Sequence, residues 1–194
     1  MTKINGKFSI CMTLLLVIGC ARETDIYTLC RNGDVDNLSK LLATSPELIN
    51  CQLDPKKWTP LHYSICYSQQ AVTKYLVSKG ANVNLCTASG ETGLHFAAFE
   101  REVETVQMLL DAGAEVNVKA NTEKRETPLD MAIIAGENLT LTRKIPPDTI
   151  KNYVPKTIAE LRAEDEALQQ MIELLKAHGA KRASDMASEQ EPKP

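Results

Sequence analysis

Hydrophobic and polar positions along this chain fall into a recurring order. A threonine, a proline or glycine, a leucine and then small or apolar residues open three stretches. They are Trp58-Thr59-Pro60-Leu61-His62-Tyr63-Ser64, Glu91-Thr92-Gly93-Leu94-His95-Phe96-Ala97-Ala98 and Glu126-Thr127-Pro128-Leu129-Asp130-Met131-Ala132. The threonines lie at steps of 33 and 35 residues. Apolar runs follow the first two, Tyr75-Leu76-Val77 and Met108-Leu109-Leu110, and each precedes a Gly-Ala-x-Val-Asn signature, at Gly80 and Gly113. A degenerate copy starts at Thr24, with Cys30-Arg31-Asn32-Gly33-Asp34 at the corresponding turn. This order predicts paired helices. Threonine caps the first helix through its hydroxyl, and proline fits the first helical position, where no N–H is missed. Leu61, Leu94 and Leu129 point to a core, and Ala97, Ala98 and Ala132 let helices approach. Gly80 and Gly113 end the second helix in the left-handed conformation.

These segments resemble the ankyrin repeats, whose period is 33 residues with a T-P-L-H-x-A signature. The resemblance covers about residues 24–180 and implies an all-α solenoid of about four helix-turn-helix units with hairpin loops. The units fall at about 24–53, 54–86, 87–121 and 122–182. No single unit buries its apolar face alone, so neighbours must stack. Gly93 stands where the family has proline, and Ser68 and Arg101 stand where it usually has the inter-helix glycine.

The last unit departs most. Thr127 and Gly179 are 52 residues apart, against 21 in the two preceding units, so about 137–167 is an insertion. Glu137 to Pro155 holds Pro146, Pro147 and Pro155 and reads as an extended loop, because residues before proline avoid helix. Thr157-Ile158-Ala159-Glu160 then fits a capping box. A long helix is predicted from Ile158 to His178, with Ile158, Leu161, Leu168, Ile172 and Leu175 on one face. The insertion is either a second binding surface or a lid on the last unit. Residues 183–194 are polar and read as a disordered tail.

The start of the chain reads as a leader. Lys3 and Lys7 precede an 11-residue apolar run, Phe8 to Ile18. That is short of the roughly 20 residues a spanning helix needs, and it fits a secretory signal of residues 1–19. Val17-Ile18-Gly19-Cys20 resembles the lipobox of bacterial lipoproteins, which implies cleavage before Cys20 and acylation of its thiol, with 20–23 as a short linker. Multiple acyl chains are needed for a stable anchor. The resemblance implies residence in the cell envelope, at an outer membrane facing the periplasm. The alternative is an ordinary signal peptide and a soluble periplasmic or secreted protein.

Charge excludes some partners. The chain carries a formal −3, and without the leader about −5. Nucleic acid binding needs a basic stripe, and docking on anionic lipid needs a polybasic cluster. Membrane contact is therefore expected through the lipid anchor alone, and a monomer is expected.

No catalytic or metal-binding motif stands out, and no cofactor is implied. His62 and His95 share one repeat position, where the family uses histidine for structural hydrogen bonds. Cys30 reads as a buried thiol, and Cys51 and Cys86 lie one unit apart in loops that can approach each other. The family's concave face implies binding by hairpin tips and by the exposed side of the first helices. Position by position these are Lys56, Trp58, Glu91 and Glu126 at the tips, and Cys66, Tyr67, Phe99, Glu100 and Ile134 on the helices. Large surface aromatics dominate interface energetics, although Trp58 can instead fold down onto its own hairpin. The reading is therefore a non-enzymatic module for an unknown protein partner. The alternatives are an inhibitor or immunity factor for a cognate toxin or enzyme, and an enzyme using Cys66 or a histidine.

Overall fold

The computed structural model describes residues 26–52, 55–144 and 158–188. The leader, Cys20 and the tail beyond Ser188 lie outside the described residues, as do the readings attached to them.

Each threonine opens a helix through local bonds that its own motif supplies. Thr59 stands in extended backbone (φ −90°, ψ 165°). Its hydroxyl accepts the His62 N–H, while its own N–H donates to His62 Nδ1 at 3.1 Å. The same return bond joins Thr92 to His95 at 3.0 Å and Thr127 to Asp130 Oδ2 at 3.1 Å. These caps start α3 (Pro60–Cys66), α5 (Gly93–Phe99) and α7 (Pro128–Lys144), and each cap contributes about 1 kcal/mol. Before α3 come α1 (26–32), α2 (Val35–Thr44) and a 3-10 turn at Pro46–Asn50. The second helices are α4 (Gln70–Ser78), α6 (Val103–Asp111) and α8 (Ile158–Ala177), and α9 (Ala183–Ser188) closes the described chain. No strand forms among the described residues.

Stacking follows from the apolar pattern. α3, α5 and α7 pack in succession as one layer, and α2, α4, α6 and α8 as the other. The threonines therefore occupy equivalent places in successive units. Ile65, Leu76, Leu94, Leu109, Met171 and Leu175 are fully buried between the layers, each worth roughly 1.5–3 kcal/mol.

A ladder of asparagines ties the units together. Asn50 Oδ1 accepts the Asn82 N–H at 2.8 Å, and Asn84 Oδ1 accepts the Glu115 N–H at 2.9 Å while its amide donates to Gly113 O. Asn117 makes the same pair of bonds to Lys181 N–H and Gly179 O. Gly179 (φ 81°) thus repeats Gly80 and Gly113 (φ 84° and 83°). Beyond the insertion the array resumes its register at Gly179.

One departure from the family pattern proves harmless, and two expectations change. The turn residues Ser68 and Arg101 keep the left-handed geometry of Gly33 (φ 51°, 61° and 78°), so the missing glycine leaves the fold intact and adds local strain. An extended loop was expected from Glu137, but α7 runs through to Lys144; the rest of that expectation, 145–157, lies outside the described residues. Proline breaks helix only at and just before its own position, and the first proline is Pro146. Gly136, at the position where the earlier units turn, instead lies inside α7 at a close crossing: a Cβ there would stand 2.5 Å from Leu168 Cδ2. Finally, residues 183–188 form α9 where the polar composition predicted disorder, because the preceding array holds its first residues. α8 ends within one residue of the predicted His178. Leu168 and Leu175 are buried on it as expected, together with Met171, which the predicted face omitted.

Candidate functional site

The residues that start each first helix also aim side chains along one face. Trp58, just before the Thr59 cap, is half-buried and leans across a unit boundary. Its ring meets Tyr63 edge-on with centroids 5.2 Å apart, and Phe96 of the next unit at 5.1 Å. Tyr63 in turn packs on Tyr27 at 4.7 Å, and Phe96 meets the His62 ring at 5.6 Å. The result is a continuous aromatic row over three units. Lys56 lies over Trp58 with Nζ 5.5 Å from the ring centre, a cation–π arrangement.

A second row lies at the ends of the first helices. Tyr67 (46% exposed) and Phe99 (37%) are the large hydrophobics most open to solvent among the described residues. The Arg31 guanidinium sits 5.9 Å from the Tyr67 ring centre. Cys66 is half-buried beside them; burial pushes its thiol up, the nearby Glu100 carboxylate adds to this, and Lys56 opposes it. Those influences place Lys56, Cys66 and Glu100 within electrostatic reach of one another. Glu91 accepts from Ser89 Oγ at 2.6 Å, and Glu126 from Thr122 Oγ1, so both tip carboxylates brace their own hairpins. Ile134 is half-buried and borders a cleft of about 280 Å³ shared with Glu126 and the start of α9.

Hairpin-to-hairpin bonds hold this face in order. Ala88 N–H donates to Lys56 O at 2.8 Å, and Asn121 N–H to Ser89 O at 2.7 Å. His95 Nε2 reaches Glu126 O at 3.3 Å. Both histidines therefore serve caps, and His95 also makes a unit-to-unit bond. Burial holds His95 below its ordinary range, although the Glu126 carbonyl and the Glu91 carboxylate pull it up.

The predicted face is thus brought together in two parts. Lys56, Trp58, Cys66, Tyr67 and Glu100 cluster over the second and third units. Ile134 lies at the far end beside α9, a helix in a segment whose polar composition predicts none. Trp58 does not fold onto its own hairpin alone; it bridges to Phe96. Tyr27, Tyr63 and Phe96 were missed. Tyr63 and Phe96 both stand four residues after their threonine, and that repeated aromatic position was the available signal.

The cysteines do not pair as considered. Cys30, Cys66 and Cys86 are free thiols. Cys51 Sγ faces the Tyr27 hydroxyl at 3.6 Å, whereas Cys86 Sγ faces Asn84 O at 3.7 Å. Burial, then the neighbouring Cys51, pushes the Cys30 thiol up to about 12. A nucleophilic cysteine needs its thiol lowered instead, and the shifts at Cys30, Cys66 and Cys86 all run upward.

Comparison with known proteins agrees with this geometry. A family model described as ankyrin repeats matches in three copies, over residues 4–85, 26–120 and 79–142. A rice protein named as a probable E3 ubiquitin-protein ligase is 32% identical over 102 residues, covering 51% of this chain and 23% of the relative. Human ankyrin repeat and SOCS box protein 16 is 36% identical over 76 residues, 39% of this chain and 17% of the relative. A probable 26S proteasome regulatory subunit of Saccharomyces cerevisiae is 29% identical over 111 residues, covering 56% of this chain and 48% of the relative. The chain spans less than half the length of each of these relatives.

Proposed function

Because the chain belongs to the ankyrin-repeat family, we propose that it is a non-enzymatic module that binds a protein partner on the face carrying Trp58, Tyr67 and Phe99. The observation that carries this reading is the pair of exposed aromatics, Tyr67 and Phe99, set beside the rigid row of Trp58, Tyr63 and Phe96. Rigid aromatics give large contact area at low entropic cost. Lys56, Glu91, Glu100 and Glu126 form a charged rim that sets partner choice more than affinity. Cys66 completes the apolar floor beside Tyr67, and Ile134 extends the face at its far end.

The leader spacing supports export and anchoring through acylated Cys20, with the array at the cell envelope. Labelling with a fatty-acid probe tests this: wild type takes up label and Cys20→Ser does not. Label retained by Cys20→Ser removes the anchor from the account.

Binding is tested by affinity capture with the folded chain against an extract of the source cell's envelope, comparing wild type, Trp58→Ala and Phe99→Ala. The reading expects one partner to be recovered with wild type and lost with Phe99→Ala, which leaves the core intact. Equal recovery of every partner by all three proteins overturns it.

A further inference from the structure

The fourth unit carries a bond pattern that differs from those of the units before it. In the third unit, His95 caps α5 and also reaches the next hairpin. In the fourth unit that position is Asp130, and among the described residues the segment leading into α9 follows instead of a hairpin. Its carboxylate instead accepts the Ala183 N–H at 2.8 Å and Arg182 Nε at 2.9 Å, while still accepting the Thr127 N–H and hydroxyl. Thr127 Oγ1 also bonds Lys181 O, and Asn117 bonds Lys181 N–H. The segment after Gly179 therefore sits where a fifth unit would begin.

Its attachment is polar and narrow. Asp130 is nearly buried, with its side chain 10% exposed, whereas that of Arg182 is 50% exposed. Ser184 and Asp185 of α9 are exposed, and Ala183 and Met186 are only half-buried. Little apolar area opposes detachment, and segments of this kind open locally at low cost. Ala183 and Ser184 also wall the cleft that contains Asp130, Ile133 and Ile134.

We propose that residues 181–188 form a releasable latch, pinned by Asp130, which covers the last-unit end of the apolar face. Release frees Asp130 and uncovers Ile133 and Ile134 without unstacking the array. The latch is a property of the fold and does not depend on the binding reading above. Lys124 and Glu126 face the same cleft, so salt acts on the pin through Arg182, Lys124 and both carboxylates.

The test uses the full chain and Asp130→His. Histidine at this position restores the partner that Thr59 and Thr92 have, so the α7 cap survives, but it removes the acceptor for Ala183 and Arg182. Hydrogen exchange is read at residues 182–188 and separately across α3–α6, with tryptic cleavage after Arg182 as a second readout. The latch requires exchange at 182–188 and cleavage to rise by about tenfold in Asp130→His, with α3–α6 unchanged. Arg182→Ala, which leaves the cap untouched, is expected to raise exchange at 182–188 by about threefold or more. Three outcomes overturn the proposal: unchanged exchange in both variants, wild-type exchange at the unprotected rate, or acceleration spread equally through α3–α6.

Discussion

Trp58 and Phe96 meet edge to face, with centroids 5.1 Å apart, across the boundary between two repeats. One side chain thereby belongs both to the candidate binding face and to the stack that supports it. Aromatic pairs of this geometry are worth about 0.5–1.5 kcal/mol each beyond area burial. Trp58→Ala removes two of them, so it is expected to cost about 2 kcal/mol by urea unfolding, with Trp58→Phe restoring at least half. An Ala variant as stable as wild type places Trp58 outside the stack.

The asparagine ladder makes a sharper claim about the insertion. Asn117 bonds Gly179 O and Lys181 N–H, more than 60 residues away, through the same two atoms that Asn84 uses one repeat earlier. Removing either side chain breaks two exposed unit-to-unit bonds, each worth about 0.5–1.5 kcal/mol net. Asn117→Ala is expected to raise hydrogen exchange in the second half of α8 and at 179–183, and Asn84→Ala across α6. Identical exchange maps for the two variants contradict a register restored at Gly179.

Ser68 is exposed and holds a left-handed backbone (φ 51°) where the first repeat uses Gly33. Left-handed geometry costs a residue with a Cβ about 1 kcal/mol. Ser68→Gly is therefore expected to stabilise the chain by about 0.5–1 kcal/mol, seen as a higher urea midpoint. A lower midpoint would mean that the side chain matters more than the backbone.

His95 and Asp130 both contribute to the pH response. Burial lowers the His95 imidazole from its ordinary 6.5, outweighing the Glu126 carbonyl and the Glu91 carboxylate. The unfolded chain then binds the proton first, so this stability is complete above 6.5 and is lost as pH falls through the folded value. At Asp130 burial acts upward, but the bonds from Ala183, Thr127 and Arg182 win and lower its carboxyl from 3.8. That contribution is complete above 3.8 and is lost only as pH falls further. Urea midpoints between about pH 7.5 and 5.5 are expected to fall in wild type and to fall less in His95→Asn. Equal slopes would remove His95 from the account.

Much of this architecture was legible because its signals are local. Thr59, Thr92 and Thr127 cap helices through bonds to residues three positions on, so their motif contains both partners. The glycine at 80 and 113 and the boundaries of α8 are local in the same way. The failures were tertiary. Nothing near residues 183–188 announces a helix; Asp130, more than 50 residues earlier, holds its first residue. The prolines point to a loop after Gly136, but helical order persists to Lys144. On the candidate face, Trp58, Tyr67 and Phe99 followed from repeat position. The row through Tyr27, Tyr63 and Phe96 depends on ring contacts between units, which a one-dimensional pattern does not carry.

The most direct measurement is hydrogen exchange of the chain with and without its captured partner. The account predicts new protection at residues 56–68 and 89–100, the segments carrying Lys56, Trp58, Tyr67 and Phe99, with α4 and α6 unchanged on the opposite layer. Protection confined to α4, α6 and α8, with the tips and first helices as open as in the free chain, would contradict it.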